Sequence, residues 1–182
     1  NLALLNISSN AFTGPFPIEI SSLNSVASLS IGHNTFTGLV PDQISSLNAL
    51  VTLDIGGCLF TGPYPTTISV LTLLTELTIE ANQFDSGSFP LSYYSLTHLE
   101  TLNLAEIAMT GVFGDISLSN FPFLKSLDVS HNSLSGSVPS VLSTLTLLIS
   151  IKTSHNSLTS TIPSILSALE FLQVLDVSSN TL

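Results

Sequence analysis

The feature that most constrains this chain is a period. Leu2, Leu5, Ile7, Asn10, Phe12, Gly14, Pro17, Ile20 and Leu23 are answered 24 residues later by Val26, Leu29, Ile31, Asn34, Phe36, Gly38, Pro41, Ile44 and Leu47. The unit from Leu50 to Leu71 keeps the spacing but carries Cys58 in the asparagine place. The unit from Leu74 has one extra residue, and the unit from Leu99 is irregular, with Ile107 for the asparagine and Gly114 for the proline. Units from Leu124 and Leu148 are regular, and an eighth starts at Leu172. A period of this length marks units that bury their apolar face only by stacking on one another. Within each unit the Leu-x-Leu/Ile step alternates in and out, as a short strand does. The spacing predicts parallel strands centred near residues 5, 29, 53, 77, 102, 127 and 151.

These columns read L-x-x-L-x-L-x-x-N-x-F/L-x-G-x-x-P-x-x-I/L-x-x-L over the whole chain. In this the sequence resembles the leucine-rich repeat in its plant-type extracellular form, as found in receptor-like ectodomains and polygalacturonase-inhibiting proteins. The resemblance implies an α/β-type solenoid, a right-handed superhelix with a parallel β-ladder on its concave face. It implies one domain over 1–182, with seven full repeats starting near 2, 26, 50, 74, 99, 124 and 148 and a partial eighth from 172. The cysteine-paired caps usual in such families are not expected here.

The column asparagines Asn10, Asn34, Asn82, Asn132, Asn156 and Asn180 turn the chain inward, and their amides are expected to bond the backbone of their own and neighbouring coils. Cys58 is read as a structural substitute rather than a reactive thiol. The residue before each proline, or before Gly114 in coil five (Phe16, Val40, Tyr64, Phe89, Phe113, Val138, Ile162), forms a further apolar column, expected to face inward on a second short strand. The break in coil five predicts bulged loops at 85–88 and 111–119, against harmless drift of the repeat.

Composition excludes several functions. Two basic residues against twelve acidic ones give a net charge of −10, so a run of phosphates cannot be neutralised and nucleic acid is not an expected partner. Docking on an anionic membrane fails for the same reason, and no apolar run is long enough to span a bilayer. One cysteine permits neither an internal disulfide nor a cysteine-based metal cage. No cofactor is expected, and nothing reads as catalytic.

Side chains flanking the inward leucines should line the concave face. They are small, hydroxylated and mildly acidic, without an aromatic anchor of the kind interfaces favour. Asp54, Glu76, Glu80 and Glu106 cluster on coils three to five, as a solvated acidic patch or a weak site for a hard cation. Asp128, Lys152 and Asp176 form an ion-pair row on consecutive coils. These seven are the concave contact candidates. His33, His131 and His155 share one position and are read as exposed polar residues, since no nucleophile or third ligand accompanies them. Asn6 opens the one N-x-S/T sequon. Leu73, Phe123, Leu147 and Phe171 form a lateral apolar strip, read as a contact surface or as side chains half-covered by the ascending arm.

Two functions follow, both non-enzymatic, extracellular or at the cell surface, and working through other protein chains, with glycans a further expectation. In one, copies stack end to end through their apolar edge strands into a rod or filament. In the other, the chain is a segment of a ligand-binding receptor ectodomain or of a secreted inhibitor.

Overall fold

A computed structural model describes all residues, Asn1–Leu182. Eight short strands, Leu4–Asn6, Ser28–Ser30, Thr52–Asp54, Glu76–Thr78, Thr101–Asn103, Ser126–Asp128, Ser150–Lys152 and Val174–Asp176, form one parallel sheet in chain order. Each belongs to one coil, numbered one to eight. The register follows the repeat: Leu5 pairs with Leu29, Leu53 with Leu77, Leu77 with Leu102, and Leu127 with Ile151. The central residue of each strand points inward, and from Leu29 to Ile151 these residues are no more than 1% exposed. Phe36, Phe60, Ile44, Leu47 and their equivalents complete one continuous core.

The return arm of most coils is a five-residue 3-10 turn, such as Asp42–Ser46 or Ser140–Thr144, and no α-helix forms. The repeat explains this. Proline occupies the position before each five-residue turn, where its fixed φ and missing N–H cost nothing, and five residues are too few to propagate an α-helix.

A second set of parallel strands lies across the core, but not where the pre-proline column predicts it. The strands are Thr13–Pro15, Thr35–Gly38, Leu59–Gly62 and Gln83–Phe84, followed by a separate group, Thr110–Val112, Ser133–Gly136 and Ser157–Leu158. Each carries the Phe/Leu column, the turn glycine or both, and the pre-proline residue falls after them. Phe16, Tyr64, Phe89 and Val138 are nevertheless buried, whereas Val40 is half-buried and Ile162 is 43% exposed. The reason is register. Apart from Thr110–Val112, which pairs 23 residues on, these strands pair 22 residues apart, so Gly38 faces Phe60 and Gly62 faces Phe84. Only glycine fits: Gly62 has φ +78°, and a Cβ on it would collide with the Leu39 side chain.

The expected asparagine bonding is present in detail. Asn156 donates to Val129, Thr153 and Ser154 carbonyls, and its Oδ1 accepts from the Leu134 N–H of the preceding coil at 2.8 Å. Asn34, Asn82, Asn132 and Asn180 repeat the pattern. Asn10, in the first coil, bonds only the Ile7 and Ser8 carbonyls of its own coil. Cys58 is buried and reaches the Ile31 carbonyl at 3.7 Å. Burial pushes its thiol pKa up, which keeps it protonated and unreactive.

Coil five breaks the outer ladder. Across the gap between Phe84 and Thr110 a single bridge remains, Gly87 to Met109, and two three-residue turns, Phe113–Asp115 and Leu118–Asn120, replace the usual one. Two carbonyls at this junction share an unforeseen donor. The Tyr64 hydroxyl, two coils away in sequence, lies 3.1 Å from the Ile107 oxygen and 3.2 Å from the Gly87 oxygen. Burial pushes the Tyr64 pKa up to about 12, and burial raises that of Tyr93 as well. A phenol with a raised folded pKa contributes stability below its unfolded value near 10 and loses it as pH climbs through the folded value. Thermal unfolding followed by circular dichroism should therefore show a midpoint that falls between about pH 10 and 12, and Tyr64→Phe should flatten part of that fall. At neutral pH the same substitution is expected to cost about 1–3 kcal/mol, the penalty for an unmet buried acceptor.

Candidate functional site

Five of the eight concave strands end in a polar residue that turns the chain. Asp54 accepts from the Gly56 N–H, Asp128 from Ser130, Asp176 from Ser178, Asn103 from Ala105 and Asn6 from Ser8. These are Asx turns, and in four of the five the D/N-x-S/G spacing in the sequence is the signal that reveals them. One carboxylate oxygen of Asp54, Asp128 and Asp176 thus holds the strand end, while the charge stays on the concave side. The Ser178 hydroxyl and N–H keep the half-buried Asp176 carboxyl below its usual range.

The candidate residues are only partly brought together. Lys152 Nζ lies 3.3 Å from Asp128, but no ion pair joins it to Asp176. Glu80 accepts from the Asn103 amide and Asp54 from the Ser30 hydroxyl. Glu76 and Glu106 are exposed. No three histidine, cysteine, aspartate or glutamate side chains are grouped so as to hold a metal. The face is a spread of acidic groups along the ladder and not a single cage.

The histidine column has a backbone explanation. His33, His131 and His155 all adopt φ near +53°, as do Ser9, Ala81, Glu106 and Ser179 at the same place, while Gly57 has φ +60°. Histidine is one of the few non-glycine residues enriched in that left-handed region. The His131 and His155 rings stack with centroids 4.2 Å apart, and both residues are exposed. Gly57 is the sequence signal for this conformation.

The lateral strip is solvent-facing. Leu73 is 53% exposed, Phe123 48%, Leu147 37% and Phe171 57%. The strip lies three residues before each concave strand and so borders the acidic face. His98 belongs to it, stacked on Phe123 with centroids 6.3 Å apart. Asn6 is exposed on its strand.

The leucine-rich repeat family model matches residues 1–23 and 123–145. The solenoid superposes on the plant peptide hormone receptor RGFR1, solved in complex with RGF2, with a TM-score of 0.88 and 30% identity over 99% of this chain and 28% of that one. The chain is a leucine-rich repeat solenoid similar to those of plant receptors. The Arabidopsis receptor kinase HAESA, solved with the peptide hormone IDA and the co-receptor SERK1, matches with a TM-score of 0.87 and 28% identity over 99% of this chain and 34% of that one. A plant ice-binding protein shares the solenoid at a TM-score of 0.79 and 25% identity, over 98% of this chain and 57% of that one. Among curated proteins no sequence match is found. This leucine-rich repeat chain therefore spans about a third or less of the two receptor ectodomains. No helix in it is long and apolar enough to cross a membrane.

Proposed function

We propose that the chain is a non-enzymatic recognition module, outside the cell or at its surface, that binds protein or peptide partners of positive charge. The observation that carries this reading is the concave ladder itself: eight strands whose outward side bears Asp54, Glu76, Glu80, Asp128 and Asp176, against one lysine that is already paired. Opposite charge across an interface steers encounter and selects partners. The concave face lacks aromatic anchors, and the bordering strip of Phe123, Leu147 and Phe171 supplies apolar ones. The two receptor neighbours, solved with peptide hormones, support a ligand-binding role over the stacking of copies. Asn6, exposed in its sequon, is the proposed glycan acceptor.

Panning a displayed library of random peptides against the chain tests this. Enriched sequences should carry Lys or Arg beside apolar residues. Glu76→Lys together with Glu106→Lys should weaken the best binder about tenfold, as expected for two exposed charges reversed at low salt. Neutral or acidic binders, or affinity unmoved by both reversals, would overturn the reading. End-to-end stacking rests on the exposure of Leu2, Leu4 and Leu175, and sedimentation separates it from recognition: a monomer at high micromolar concentration removes it.

A further inference from the structure

The break between coils four and five leaves a cleft. At two other junctions a bulky side chain closes over the next turn glycine. Leu39 lies on Gly62, and Val112 lies on Gly136, 2.7 Å from where a Cβ would stand. At Gly111 the corresponding neighbour is Ser88, with its Cβ at 3.9 Å, and a hollow of about 230 Å³ opens beside it. Its wall is aromatic: Phe89 and Tyr94 stack with centroids 5.3 Å apart, and Phe121 packs on both. The Tyr94 hydroxyl is occupied by the Ser117 N–H at 2.9 Å, which fixes the ring. Ile116 contributes to the lining and is itself 5% exposed, while Leu91 and Val112 stand at 71% and 44% exposure on the rim. Asp115 is exposed among the lining residues and makes no ion pair; the two lysines, on coils six and seven, pair with Glu100 and Asp128.

We propose that this cleft is a second recognition site, taking one apolar side chain of a protein segment whose adjoining lysine or arginine pairs with Asp115. The inference rests on the module binding positively charged proteins, and it assigns one anchor point away from the concave face. Charge selects the occupant: a chain of net charge −10 with an unpaired carboxylate beside an aromatic-walled hollow favours a cation next to the buried group. An acidic or uncharged segment would leave Asp115 unanswered.

Amide NMR of the whole chain titrated with N-acetyl-leucyl-lysine amide tests the site. Ser88, Gly111, Val112 and Asp115 amides should shift together, with weak, millimolar affinity. N-acetyl-leucyl-glutamate amide should bind several-fold less well. Asp115→Asn should weaken the lysine peptide about two- to fivefold, the range for one exposed pair, and added salt should shrink that difference. Val112→Glu, at an exposed position, should abolish the shifts while the rest of the spectrum is kept. Shifts confined to the concave strands, equal affinity for the two peptides, or no shifts would overturn the proposal. Concave charge reversals leave this titration unchanged, so a failure of the concave reading and a failure of the cleft are told apart.

Discussion

Asn132→Ala should be among the most damaging single substitutions in the molecule. The side chain makes five hydrogen bonds: its amide donates to the Leu104, Val129 and Ser130 carbonyls, and its oxygen accepts from the Ile107 and Met109 N–H groups. Alanine leaves all of these backbone groups in the space between two coils, where Ile107 and Met109 are fully buried and water has no easy route. Each unmet buried donor or acceptor costs about 1–3 kcal/mol, so a total loss of about 3–5 kcal/mol is expected after partial relaxation. Urea unfolding measures it. Cys58→Ala provides the contrast, since that thiol makes one long contact, and should cost about 1 kcal/mol for the lost packing. Similar costs at the two positions would show that the amides are not what holds successive coils together.

Leu77→Ala is the second large effect. Leu77 is fully buried and sits between Leu53 and Leu102 in the ladder. Truncation removes transferred apolar surface and leaves a cavity that rigid neighbours on both sides cannot fill, with an expected cost of about 2–5 kcal/mol. Because each coil contacts only its neighbours, the damage falls in the middle of the stack and should split the unfolding transition. Leu175, the equivalent residue in coil eight, is 37% exposed, and Leu175→Ala should cost well under half as much. An equal loss at both positions would contradict the nearest-neighbour picture.

The concave ladder was legible because period-two alternation and the 24-residue repeat act together on the same leucines, and a slip by one residue would have put Leu29, Leu53 and Leu77 in water. The asparagines were legible for a similar reason: a buried amide at a fixed place can only serve the backbone. The outer strands were not. Their register is set by where glycine must face a phenylalanine of the next coil, a contact between units that no single unit displays. The left-handed turn under the histidines was signalled by Gly57 alone, and the reading of His33, His131 and His155 as polar surface missed its backbone cause. Tyr64 belongs to the pre-proline column by spacing. Its role as donor to Ile107 and Gly87 reaches across two coils, a contact no single unit displays. The cleft is hidden in the same way, for its shape depends on the absence of a side chain at Ser88 large enough to close it. The break at coil five could be located in sequence; what it opens could not.

The asparagine bonds also have a direction. From Asn34 onward each side chain reaches toward the coil that precedes it in the chain, as Asn156 does to Val129 and Leu134, and Asn180 to Thr153 and Leu158. The fastening for any coil is therefore encoded in the next stretch of polypeptide to be made. As the chain emerges from the ribosome, amino end first, each new coil that keeps its asparagine, all but the third and the fifth, arrives carrying the latch for the one already laid down. Assembly can proceed as a zipper with one open tooth at the growing end, without waiting for the far terminus.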